Sequence, residues 1–512
     1  MILLAHPSGN NFVREAAMAL LSADVLTELH LGIAACGGNA FAKLSRLPGM
    51  AEIRRRTYDS RLWSSLRLHP WREGGRLLAS RLGWPSLIAH ETGPFCIDAV
   101  YQSFDRTVAR RIDLERGADP NSAKHAKGRS GYWGLTPFPR PPYRSISGVY
   151  CYEDGALETF RAAKAARIVC CYDLPIAYWR TARRLLEEEA QRWPQWEPTL
   201  VGTRDSSAKC SRKDAELDLA DLIVCPSNFV RDSLPSEILQ SKAVAVVPFG
   251  SPEGRWLEKG SDPNSAKHPK GRSGYWGLTP FPKHGRLRVF FAGSMTQRKG
   301  LADLFAAMKL LDPERIELHV MGSPIVPIEF YRSQYPHFVY HATRSNADVL
   351  KLMQTMDVFC LPSIVEGRAL VMQEAMSQGL PIIITPNTGG EDLVDVTSPF
   401  GTGHVPVDSI QGEPIALATG DAQNMIPTGS DVTPEASAYG SGVEKIYGRG
   451  ATGFLVPIRS PETIAECIAW CCDHREEVVA MGKAAMDKSR EYTWKAYGDG
   501  IVNAVQDAVR KR

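Results

Sequence analysis

The stretch Val365 to Pro381, VEGRALVMQEAMSQGLP, constrains the fold more than any other part of the chain. A turn-forming Pro362-Ser363 precedes it, and the apolar run Ile382-Ile383-Ile384 follows it. The pattern reads as strand, loop, helix, then Gly379-Leu380-Pro381 leading into a second buried strand. Glu366 falls on the loop and Glu374 about one turn into the helix, with seven residues between them. The helix start between the two carboxylates has free backbone N–H groups that favour an anion such as a diphosphate. A carboxylate on each side can accept hydrogen bonds from sugar hydroxyls. A ligand with a diphosphate in its middle and a sugar at each end meets all three conditions. An amphipathic helix with two solvated glutamates is the plainer alternative.

Composition sets the remaining bounds. A length of 512 residues suggests about two to four domains. Hydrophobic residues make up 44% and charged residues 23%, values of a soluble globular chain. A net charge of +3 is too small to argue for nucleic acid. No apolar run approaches the roughly 20 residues of a spanning helix. The start, MILLAHPSGNNF, reads as a strand and a glycine-containing loop rather than a signal peptide. The eleven cysteines show no zinc-site spacing, so buried reduced thiols in the cytoplasm are expected. No metal or other cofactor is expected.

Strands and helices alternate in two series. The first includes Met1–Ala5, Gly148–Tyr152, Arg167–Tyr172 and Leu222–Pro226; the second begins at Leu287-Arg288-Val289-Phe290-Phe291. Such alternation predicts parallel sheets with helices on both faces and ligands at the carboxyl ends of the strands. Two segments, 119–139 and 262–282, share one sequence except at Ala126 and Pro269, in unlike surroundings. They read as elements inserted into surface loops. Asp395 to Arg449, rich in Gly, Ser, Thr and Pro, reads as a third insertion.

The Glu366–Glu374 string resembles the signature of glycosyltransferase family 4, whose members have the GT-B fold. That fold has two Rossmann-like, doubly wound α/β domains facing a cleft, and a C-terminal helix that crosses back to the first domain. The resemblance implies that Glu366 touches the donated sugar and Glu374 holds the ribose of a nucleotide-sugar. Gly367, Arg368, Ala369 and Leu370, which lead into the helix, become candidate donor contacts. Residues 289–311, VFFAGSMTQRKGLADLFAAMKLL, are similar to the family's strand, glycine turn and helix. The resemblance places Lys299 on the donor diphosphate, where a fixed cation offsets charge on the departing nucleotide. Ser294 stands where many relatives have arginine, which leaves Arg298 as the second cation. Leu318–Pro324 is similar to a strand ending in a nucleotide-side glycine, here Gly322.

In the first domain, many relatives end one strand with a histidine–aspartate pair. Here Asp173 is kept and Tyr172 replaces the histidine. Gly9 and Asn10 can approach the leaving phosphate through backbone N–H groups, or simply form a strand-to-helix turn. Residues 43–81 carry ten Lys or Arg against Glu52, Asp59 and Glu73, interleaved with Trp63, Leu66, Leu68 and Trp71. That segment is either a membrane-surface face, giving a peripheral contact at the inner side of the membrane, or a solvated basic face.

The expected domains are 1–255 for the acceptor, 256–285 as linker, 286–490 for the donor, and 491–512 as crossover helix. The expected function is retaining transfer of a sugar, a hexose, from a nucleotide-diphosphate sugar to a glycan, lipid-linked or small-molecule acceptor, with Glu366, Lys299 and Asp173 as its catalytic residues. Three alternatives stay open: a nucleotide-sugar epimerase of the same fold, a glycosidase, and a family member that binds a nucleotide-sugar without turning it over.

Overall fold

A computed structural model describes residues 1–117, 145–252, 285–399 and 447–512. Both repeat copies, and residues 400–446 of the third insertion, lie outside the described residues.

The chain builds two sheets. The first has the order β3-β2-β1-β4-β5-β6-β7, from β1 (Ile2–His6), β2 (Leu26–Leu31), β3 (Leu66–Leu68), β4 (Gly148–Tyr152), β5 (Val169–Asp173), β6 (Leu222–Cys225) and β7 (Ala243–Val246). Every pairing in it is parallel. The central strands are apolar on both faces because helices cover both. Leu4, Tyr150 and Cys171 face the helices Asn11–Ser22 and Trp494–Arg510. Leu3, Val149 and Tyr172 face the helices Ile97–Gly117 and Leu157–Ala165.

The second sheet has the order β10-β9-β8-β11-β12-β15-β14-β13. Its strands are β8 (Leu287–Ala292), β9 (Ile316–Met321), β10 (Phe338–His341), β11 (Val358–Leu361), β12 (Ile382–Ile384), β13 (Val396–Pro399), β14 (Gly448–Gly450) and β15 (Gly453–Leu455). It is parallel from β10 to β15. β14 and β13 then add antiparallel at the edge. These two strands are the ends of the insertion read from Asp395 to Arg449. Val396-Thr397 suits a strand, a local preference that the surrounding Gly, Ser and Pro mask in the sequence.

Both sheets change direction at a neighbouring pair, β1 beside β4 and β8 beside β11. A crevice opens outside the carboxyl ends of such a pair. The helix Trp494–Arg510 crosses back and buries Tyr497, Ile501 and Val505 against the first domain. Trp196 crosses the other way. It lies in the core of the second domain against Phe305, Phe330 and Tyr331, with ring centroids 5.1–5.8 Å apart. All eleven cysteines are buried free thiols.

Candidate functional site

The loops after β8 and β11 lie side by side at the switch point of the second sheet. Gly300 allows their close approach: its φ is +73°, and a Cβ there would stand 1.9 Å from the carbonyl oxygen of Pro362. The Ile364 amide donates to the carbonyl of Arg298 at 2.9 Å, and Arg298 Nη1 donates back to the Val365 carbonyl at 2.9 Å. This stitching sets both cations on one carboxylate. Lys299 Nζ is 2.6 Å from Glu366 Oε1, and Arg298 Nη1 pairs with the same oxygen. Burial alone would raise the Glu366 pKa, but Arg298 and Lys299 outweigh it and hold it down at about 2. Burial lowers the Lys299 pKa, and Glu366 opposes that shift.

The helix that follows, Leu370–Ser377, matches the sequence expectation, with Glu374 in its second turn. Glu374 is half-buried and accepts a hydrogen bond from Asn346 Nδ2 at 2.7 Å. Burial raises its pKa, and the Asn346 bond moderates the rise. The Ala369 amide donates to the Thr388 carbonyl, while the amides of Leu370 and Val371 have no partner among the described residues.

Arg368 turns away from this loop. Its guanidinium is buried against Gln373, the Gly389 carbonyl and Asp392, and stacks over Tyr492. Gln373 in turn donates to the Phe249 carbonyl and to Ser251 Oγ, both at 2.9 Å. Arg368 therefore braces the junction between the domains. Gly367 lies at the junction too. Its carbonyl accepts from Ser227 Oγ at 2.6 Å, and a Cβ on it would stand 1.8 Å from the Pro175 carbonyl oxygen. Leu370 packs against the core of the first domain. Gly293 and Gly322 end the adjacent strands β8 and β9. A Cβ on Gly322 would meet the Gly293 carbonyl oxygen at 1.7 Å, so the backbones touch there. Ser294 is exposed beside them.

In the first domain, Asp173 ends β5 and is fully buried. Its Oδ2 accepts a hydrogen bond from the Tyr150 hydroxyl at 2.6 Å. Burial raises its pKa to about 7, against the effect of the Tyr150 bond. Tyr172 points to the opposite face, under Phe160, with its hydroxyl on Glu216 at 3.3 Å. The Gly9 amide donates to His6 Nδ1 at 2.8 Å, and the Ser8 amide to the same atom at 3.1 Å. Asn10 caps the helix Asn11–Ser22 through Val13.

His6 ends β1 inside the fold, and burial, with Arg56, lowers its pKa to about 3. Its signal in the sequence is a histidine closing an apolar strand just before Pro7-Ser8-Gly9. Asn346, the partner of Glu374, starts a helix 28 positions away in the chain and has no local signal. Among the described residues, one set of candidate metal ligands stands together: His90, Glu91 and Asp205, in the first domain. Lys209 already neutralises Asp205 at 2.8 Å, and the Ser206 amide occupies Glu91.

Comparison with known proteins agrees with this fold. The structure superposes on sucrose-phosphate synthase from Thermosynechococcus elongatus with a TM-score of 0.54 at 13% identity, covering 100% of this chain and 99% of that one. A glycosyltransferase from Rickettsia africae gives 0.50 at 11% identity, covering 100% and 99%. These likenesses identify the fold as GT-B. An uncharacterized glycosyltransferase of Methanocaldococcus jannaschii is 30% identical over 112 residues, which span 21% of this chain and 29% of that protein. Residues 286–408, which carry Lys299, Glu366 and Glu374, match the family model described as Glycosyl transferases group 1.

Proposed function

We propose that the protein is a retaining glycosyltransferase that uses a nucleotide-diphosphate sugar. One observation carries the reading: Glu366, at the switch point of the second sheet, is clamped by Arg298 and Lys299, with Glu374 in the second turn of the helix that follows. Those cations are held in place by a carboxylate that a diphosphate can replace. In this reading the diphosphate sits on Lys299, Arg298 and the open amides of Leu370 and Val371. Glu366, released from its clamp, accepts hydrogen bonds from the donated sugar. Glu374, held by Asn346, takes the ribose hydroxyls.

Clamped by Arg298 and Lys299 before the donor binds, Glu366 is ionised at neutral pH. The acceptor hydroxyl then gives its proton to the leaving phosphate oxygen as the new glycosidic bond forms on the same face. Lys299 offsets the charge that gathers on that oxygen. Asp173 acts as a positioning residue through Tyr150. A hexose donor and a glycan, lipid-linked or small-molecule acceptor complete the proposal. Tyr172 favours a second reading, nucleotide-sugar binding without turnover, because it brings no polar group toward the cleft. A thermal-shift screen of UDP-, GDP- and ADP-sugars tests the donor site, and saturating ligand at 100 times its dissociation constant adds about 2.7 kcal/mol. A response to none of them refutes both readings. The anomeric configuration of the product, read by proton NMR, tests retention.

A further inference from the structure

We infer that the first domain docks on an anionic lipid surface through the helix Pro70–Arg81 and the segment beside it. This surface is separate from the donor site. Trp71 is 86% exposed, and Leu78, Leu82 and Trp84 are exposed with it. At 3.6 residues per turn, positions 71, 78 and 82 fall within about 40° of one another, so they form one stripe along the helix. The opposite face is fixed to the domain: Glu73, about 160° round the helix from Trp71, is buried between Arg56 and Arg76. Leu47 is also exposed, in a segment tied to this helix where Arg81 Nη1 donates to the Gly49 carbonyl at 3.1 Å.

The charge around the stripe selects the occupant. Each acid of segment 43–81 is already used: Glu52 by Arg55, Asp59 by Arg61, and Glu73 by Arg56 and Arg76. That leaves six of the ten cations, Lys43, Arg46, Arg54, Arg67, Arg72 and Arg81, with no carboxylate partner among the described residues. Arg72 and Arg81 flank the apolar stripe on its two sides. An exposed apolar stripe with tryptophan, rimmed by unneutralised cations, fits the boundary between headgroups and acyl chains. The cations are drawn to the negative surface, and the stripe enters between the lipids.

The test is co-sedimentation of the full chain with vesicles of phosphatidylcholine alone, or with phosphatidylglycerol added, at 0.1 M salt. Binding is expected on the anionic vesicles and not on the neutral ones. Bromine-labelled acyl chains are expected to quench the tryptophan fluorescence in the bound state. Trp71→Ser with Leu78→Ser lowers partitioning on the order of 10- to 100-fold. Lys43→Ala and Arg46→Ala each lower it about fivefold. All these residues are exposed, so circular dichroism and the melting temperature stay unchanged. No binding to anionic vesicles overturns the inference, as does binding that the four substitutions leave intact. Self-association in sedimentation velocity that Trp71→Ser abolishes also overturns it, and assigns the stripe to a second copy of the chain.

Discussion

Replacing Glu366 with glutamine separates the two jobs assigned to it. The substitution keeps the shape and one acceptor oxygen but removes the charge between Lys299 and Arg298. Removing one partner of a fully buried ion pair costs about 3–5 kcal/mol, because the other charge is left uncompensated. Here Lys299 and Glu366 are nearly buried, while the Arg298 side chain is 26% exposed and reaches water. The lower end, about 3 kcal/mol, is therefore expected. At roughly 2–4 °C per kcal/mol for a domain of this size, the ligand-free variant melts some 6–12 °C lower. A nucleoside diphosphate should act in the opposite sense. In the natural protein it must displace Glu366 from both cations; in the variant it meets them unpaired. Nucleoside diphosphate affinity is expected to rise about tenfold, a gain of about 1.4 kcal/mol, while sugar transfer falls. Calorimetric titration of UDP, GDP and ADP, with melting curves for each, measures both effects. An unchanged melting temperature together with weaker diphosphate binding refutes the clamp.

Glu374→Gln is expected to weaken donor binding by about 1.5–3 kcal/mol, since it removes a charged acceptor for the ribose; an unchanged donor dissociation constant refutes the role. Lys299→Ala is expected to lower kcat more than it raises KM, because charge on the leaving oxygen grows toward the transition state; steady-state kinetics decide. Asp173 gives a pH prediction. Its folded pKa of about 7 lies above its ordinary 3.8, so between those values the folded state holds more protons than the unfolded one. Stability conferred at low pH is therefore lost as pH rises through that window, by on the order of 4 kcal/mol at most, and urea denaturation of Asp173→Asn should show the slope flattened. Gly367→Ala pushes a methyl group into the Pro175 carbonyl and is expected to lower both melting temperature and turnover; a variant with normal kinetics refutes the close approach of the domains at Gly367.

The parts of the fold that follow from local rules were legible in the sequence. The run from Pro362 to Ile384 carries its own punctuation: a proline turn, a helix of 3.6-residue period, a Gly-Leu-Pro exit and a buried strand. Both sheets follow from repeated alternation, because helices on both faces leave the central strands apolar throughout. Lys299 was singled out by resemblance alone, through the strand, glycine turn and helix of residues 289–311. What escaped the reading depends on pairings across the chain. Asn346 reaches Glu374 across 28 positions of chain, with β11 between them. Trp196 sits in a segment of the first domain yet packs in the second, and its flanking residues show no period that announces this. Tyr172 shows a third kind of limit. Alternation along β5 decides that Asp173 and Tyr172 face opposite layers, so two adjacent residues cannot both serve one cleft from within that strand. A histidine–aspartate pair can act together only where the second residue has left the strand. Here the pleat continues through Asp173, and replacing the histidine by tyrosine places a phenol against Glu216. Asp173 is thereby left to act through Tyr150, which makes Tyr150→Phe the informative companion to Asp173→Asn. If Asp173 acts on turnover through Tyr150, both variants shift the pH profile of turnover. If Asp173 serves stability alone, both change the melting curve and leave that profile where it was.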